Sequence, residues 1–171
     1  MLSIDADERL TSGLVQEIKT TISNPQALDG YELPRHMYFL GHRLRYGGVG
    51  QDWVVRFFRR TKGHFRQVSV HEGVEISGTR GRFQHPLLHY SYRTLDEYVE
   101  KCNVYTRLAA DERYRKGERF SSFQHFRPFW ELFSRIILKG AWLDGQPGLI
   151  YAALSSHAAW LRVIKLWEKK S

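Results

Sequence analysis

At Thr94 the period of the hydrophobic pattern changes, and this change divides the chain. Before it, apolar residues come in short runs: Trp53, Val55 and Phe57 interleave with Val54, Arg56 and Phe58, the two-residue period of a strand. Val68 and Val70 form a second short run ending in His71-Glu72-Gly73, and Val74 to Ile76 a third. A helix capped by Thr11 or Ser12 is expected to run to about Ser23, burying Leu14, Ile18 and Ile22 until Asn24-Pro25 stops it. Leu28 to Leu40 reads as a strand broken around Pro34, Gly41 to Gly50 as a basic glycine loop, and His85 to Tyr92 as a loop or short strand.

From Thr94 the period is helical. Thr94 and Glu97 have capping-box spacing, and Leu95, Tyr98, Val99, Cys102, Tyr105 and Ala109 keep one face. Pro128 opens a further helix expected to bury Phe129, Leu132, Phe133, Ile136 and Ile137 and to end at Gly140; a last helix spans about Pro147 to Trp167. The expected fold class is therefore α/β, with a mixed α/β portion over 1–92 and a helical portion over 93–171.

Charge narrows the partners. A net charge of +8, spread through the chain of 171 residues, favours phosphates, acidic lipid surfaces or nucleic acid. The single cysteine, Cys102, excludes an internal disulfide, and no signal-peptide pattern is visible. The longest uncharged run, Gly145 to Leu161, is too short and polar to span a bilayer.

Chemistry concentrates at the start. In Leu2-Ser3-Ile4-Asp5-Ala6-Asp7-Glu8 an apolar run ends in two acids one residue apart. On a strand, Asp5 and Asp7 would project to one side, and side-by-side carboxylates suit Mg²⁺ or Mn²⁺. The alternative is a surface turn with solvated acids. Glu72, beside His71, could take a proton from a hydroxyl nucleophile. His89, between apolar residues, reads as a hydrogen-bonded core histidine or as a nitrogen ligand. Arg56, Arg59 and Arg60, with the Gly47-Gly48 loop, could hold a diphosphate; a solvated basic face is their other reading. No zinc pattern and no Walker or dinucleotide glycine motif is present.

Taken in order, these residues resemble the second half of a family 2 glycosyltransferase of the GT-A fold, of the lipopolysaccharide-core type of Gram-negative bacteria. The matching stretches are Asp5-Ala6-Asp7-Glu8-Arg9, Leu33-Pro34-Arg35 with Tyr38-Phe39-Leu40-Gly41, and Arg56-Phe57-Phe58-Arg59-Arg60. Val70-His71-Glu72, His89-Tyr90-Ser91-Tyr92-Arg93, Lys139-Gly140, Leu143-Asp144-Gly145 and Gly148-Leu149 complete them.

What the resemblance implies is an inverting, metal-dependent transfer of a hexose from a nucleotide-sugar donor to a glycolipid or lipopolysaccharide-core acceptor. Asp5 and Asp7 match the family's D-x-D motif, which binds a divalent metal (Mg²⁺ or Mn²⁺) and the donor diphosphate, with His89 as a further metal ligand. Glu72 falls at the catalytic base, with His71 where the family more often has an acid; Gly47, Gly48 and His71 fall on the acceptor side. The family's nucleotide-binding half has no counterpart here, so the chain is expected to be a fragment with little or no transferase activity by itself.

Trp130, Trp142, Trp160 and Trp167 beside Lys139, Arg162, Lys165 and Lys169 fit either an interfacial helix on an anionic leaflet or aromatics packed on the sheet. The expected location is the cytoplasmic face of the inner membrane, and nucleic acid is not expected as a partner. Two other classes compete: a non-catalytic basic binding module, and a metal-dependent phosphohydrolase using Asp5, Asp7, His71 and His89.

Overall fold

The computed structural model describes residues 1–50, 52–65 and 73–169. Among the described residues eight strands and four main helices follow in the order β1 (Glu8–Leu10), α1 (Ser12–Ile22), β2 (Gly30–Phe39), β3 (His42–Arg43), β4 (Asp52–Phe58), β5 (Gly63–Phe65), β6 (Val74–Ile76), β7 (Arg80–Arg82), β8 (Leu87–Tyr92), α2 (Leu95–Arg115), α3 (Arg127–Phe133) and α4 (Gly145–Glu168). The chain is α/β, as its change of period predicts. It forms two compact units: Met1–Tyr38 with Gly50–Ser91, and Phe39–Val49 with Tyr92–Ser171.

In the first unit β2 is the hub. Its first half pairs antiparallel with β4 and parallel with β7, and β8 pairs with both β2 and β1. Pro34 does not break it. The strand runs through, with Pro34 opposite Trp53, and its irregularity falls earlier, between Tyr31 and Glu32. The β7 ladder stops at Glu32, so a residue at position 34 owes that neighbour no N–H. Arg80-Gly81-Arg82 contributes β7.

Helix α1 begins where Thr11 Oγ1 accepts the Leu14 N–H, and it lays Leu14 and Ile18 on Leu33, Phe83 and Leu87. Ile22, expected in this core, is exposed. The Glu17 carboxylate accepts the N–H groups of Gln84 and His85, fastening α1 to the β7–β8 connection. A small β5–β6 hairpin completes the unit.

The second unit packs α2, α3 and α4. The buried stripe of α2 is Tyr98, Cys102, Thr106 and Ala110; Leu95, Val99 and Tyr105, expected on it, are exposed. Thr94 caps α2 by accepting the Glu97 N–H, while the Glu97 carboxylate takes the N–H of Arg93, one residue before the cap. Helix α3 continues through a π-helical turn, Ser134–Leu138, to Gly140 at φ +65°. Its large apolar residues do not enter the core: Phe129, Phe133 and Ile137 are exposed, and Leu132 and Ile136 half-buried. Alpha-helix α4 buries small side chains instead, Gly148, Ala152, Ser155 and Ala159, followed by Val163 and Leu166.

Candidate active site at the acid turn

The first ten residues connect two strands. Leu2 and Ser3 bridge to β4, where the Ser3 N–H reaches the Arg56 carbonyl at 2.8 Å; Glu8–Leu10 then pairs with β8 in the register Glu8 to His89. Between them the chain turns, closed by the Glu8 N–H on the Asp5 carbonyl at 3.0 Å. Asp5-Ala6-Asp7 is therefore a turn rather than a strand end. The same-side projection expected of a strand does not hold: the two acids meet different partners.

Asp5 pairs with the Arg56 guanidinium, which also donates to Glu8 Oε1 at 2.9 Å. The Glu8 carboxylate is fully buried, and its Oε2 accepts the Asp5 N–H at 3.0 Å. Arg35 on β2 approaches the same Glu8 oxygen at 3.5 Å and pairs with Asp52. Glu8 thus holds two arginines and the turn's own backbone. One donor is left over: Arg56 Nε is buried without a hydrogen-bond partner.

Asp7 faces β8. Its carbonyl accepts the Tyr90 N–H at 2.8 Å, and its Oδ2 lies 3.4 Å from His89 Nε2. Ser91 Oγ sits 3.0 Å from the other ring nitrogen, Nδ1. Burial pushes the His89 pKa down, and the positive charge of Arg35 adds to this against the pull of Asp7 and Glu8. His89 is accordingly a neutral imidazole near pH 7.

Arg59 and Arg60 are not among these partners. Arg59 donates to the Ala27 carbonyl at 2.8 Å and stands 3.7 Å from Asp29, at the α1–β2 connection; Arg60 is exposed beyond β4. Gly47 and Gly48 belong to the second unit, with φ of +70° and +82°. There Arg135 donates to the Gly47 carbonyl at 2.6 Å, and a Cβ on Gly48 would lie 2.7 Å from Lys139 Cδ. His71 and Glu72 fall outside the described residues. Of the candidates, Asp5, Asp7, Arg56 and His89 come together, and Glu8 and Arg35 join them without having been singled out. The signal available for Glu8 was its position: an acid that opens a strand immediately after a turn.

Over 98% of its length the chain is 30% identical to a protein named lipopolysaccharide core biosynthesis glycosyltransferase LpsC, from Rhizobium meliloti (strain 1021). It is 22% identical over the same share to the uncharacterized glycosyltransferase RT0209 of Rickettsia typhi, and 23% identical to RC0292 of Rickettsia conorii. All three relatives are named glycosyltransferases. The chain spans 63%, 62% and 64% of their respective lengths. No protein-family model and no solved structure matches it.

At Asp7 and His89 a carboxylate oxygen and a neutral imidazole nitrogen stand side by side, a mixed donor set that suits a transition-metal dication such as Mn²⁺ better than the all-oxygen-preferring Mg²⁺. Among the described residues no group of three or more His, Cys, Asp or Glu could hold a metal ion unaided. A cation here would complete its shell with substrate oxygens and water. Asp5, committed to Arg56, is the poorer ligand.

Proposed function

We propose that this chain is the acceptor-side portion of an inverting family 2 glycosyltransferase of GT-A architecture. It would serve the transfer of a hexose from a nucleotide-sugar donor to a glycolipid or lipopolysaccharide-core acceptor. The observation that carries this reading is the similarity to LpsC along 98% of the chain, a length that includes the whole acid turn. The geometry supports it. Asp7 and His89 would hold Mg²⁺ or Mn²⁺, which when bound supplies positive charge for the departing nucleoside diphosphate.

The protein's own groups have separate parts. Glu8 fixes the Arg56 guanidinium against the turn, beside Asp5. His89 presents an uncharged ring to Asp7, with the Ser91 hydroxyl hydrogen-bonded to its far nitrogen. Glu72 would accept the acceptor hydroxyl proton as the new C–O bond forms on the face opposite the departing diphosphate, so that the anomeric centre inverts.

Labelled nucleotide hexoses incubated with lipopolysaccharide core, Mn²⁺ and the protein, expressed with any coding sequence that continues in frame upstream, test the reading. Hexose transfer that falls by at least about a hundredfold in Asp7→Asn and in Glu72→Gln is the expected outcome. Absence of transfer from every nucleotide hexose, or full activity in both variants, would overturn it.

A further inference from the structure

In the second unit, the first half of α4 buries small residues while α3 and α4 leave large apolar ones exposed. On α4 the buried stripe is mostly Gly, Ala and Ser, while the outward stripe runs Leu149, Ala153, His157, Trp160 and Trp167. An ordinary amphipathic helix does the reverse, facing its bulky apolar residues inward. On α3 and its π-helical extension the outward stripe is Phe129, Trp130, Phe133 and Ile137, preceded by exposed Phe126, with Phe129 71% and Trp130 62% exposed. The two stripes meet: Phe129 lines one groove of about 500 Å³ together with Ala153, His157 and Trp160. Isolated surface aromatics need no explanation, but a continuous face of them does.

The charge around this face is predominantly basic. From Arg119 to Trp167 the chain carries six basic residues (Arg119, Arg127, Arg135, Lys139, Arg162 and Lys165) against two acids. Both acids are engaged within the unit: Glu131 pairs with Arg135 at 2.7 Å, and Asp144 accepts the N–H groups of Arg45 and Tyr46. Arg119, Arg127 and Lys139 are exposed, with Arg127 3.6 Å from the Glu118 carboxylate. No helix among the described residues is long and apolar enough to cross a membrane.

We propose that this face of α3 and α4 is a docking surface for the anionic leaflet of a lipid bilayer, lying on it without spanning it. Aromatic and aliphatic side chains enter the region between headgroups and acyl chains, while the flanking Lys and Arg meet lipid phosphates. A second protein with a hydrophobic face would accept the aromatics but would have no need of a predominantly basic surround. The inference is independent of the transferase reading, since it involves neither donor nor sugar acceptor.

Co-sedimentation of the full chain with sugar-free vesicles is the test, comparing equimolar phosphatidylglycerol and phosphatidylcholine with phosphatidylcholine alone. Binding to the anionic vesicles, weakened by added salt, is expected. A Phe129→Glu/Trp160→Glu double variant should bind about tenfold more weakly, and Arg127→Glu/Lys139→Glu should lose the preference for phosphatidylglycerol. All four side chains are exposed, so both variants should keep the parent's circular dichroism and thermal midpoint. Brominated lipid should quench tryptophan fluorescence in the parent and much less in the Phe129→Glu/Trp160→Glu variant. Failure to bind anionic vesicles, binding unchanged in folded variants, or concentration-dependent self-association in place of vesicle binding would each overturn the proposal.

Discussion

Glu8 is where the acid turn is most exposed to mutation. Its carboxylate is buried with Arg56 and approached by Arg35, and it also receives the Asp5 N–H. Removing one partner of a buried ion pair strands the other charge without solvent. Glu8→Ala should therefore cost about 3–5 kcal/mol, measured by urea denaturation; a loss under about 1 kcal/mol would mean that water or Asp5 alone satisfies Arg56. His89 makes a prediction of opposite chemistry. Its folded pKa lies below the ordinary 6.5, so as pH falls through 6.5 the unfolded chain takes up a proton before the native one does. This group's contribution to stability is complete above 6.5, shrinks as pH drops towards the folded pKa, and changes no further below it. His89→Gln should flatten that segment of the stability–pH curve; an unchanged slope would show that His89 does not titrate there. In the sequence Glu8 was one more acid beside a D-x-D. Its role depends on Arg35 and Arg56, which arrive from β2 and β4, and no local pattern announces that meeting.

Elements were legible where their signals are local. Thr11 and Thr94 cap the helices that their spacing implies, because capping is settled within one turn of backbone. Thr94→Ala should cost about 1 kcal/mol in thermal or chemical denaturation. Faces were less legible. Leu95, Val99, Phe129 and Phe133 have helical periodicity, yet periodicity states only that a stripe is apolar, not what covers it. Beta-strand β2 shows the same limit: Pro34 reads as a breaker until the ends of the neighbouring ladders are known. Gly148 supplies the element-scale test. A Cβ there would sit 2.1 Å from the Ala141 carbonyl oxygen, which belongs to the 3₁₀ turn Ala141–Asp144 feeding α4. Although alanine is the better helix former, Gly148→Ala should destabilise by about 1–3 kcal/mol, because the turn must move. A stabilised variant would mean that the α4 start is looser than its packing indicates.

For the molecule as a whole, charge and carboxylate pairing act in the same direction. Glu17 and Asp29 in the first unit, and Glu97, Asp111 and Glu118 in the second, all have pKa values held below the ordinary carboxylate range. At Glu17 burial opposes the shift, but the N–H bonds of Gln84 and His85 outweigh it; at Asp29 the N–H and hydroxyl of Thr79 lead. At the other three the leading cause is a side-chain bond, to Lys101, Lys169 and Arg113 respectively. Depressed carboxylates contribute stability that is present above their unfolded pKa values and is lost as pH falls through the folded ones. The chain already carries +8, and each proton added adds to that excess, so self-repulsion grows over the same range. Acid should therefore lower the thermal midpoint in two stages, a shallow one below 6.5 from His89 and a steeper one below the ordinary values of 4.5 and 3.8 for Glu and Asp. Moderate salt should restore part of the acid loss by screening the net charge, and should leave the midpoint at pH 7 far less changed. Calorimetric scans across this pH range, at low and moderate salt, check both statements. A midpoint that holds steady or rises between pH 5 and pH 3 would show that the pairing seen at these five carboxylates does not stabilise the native state.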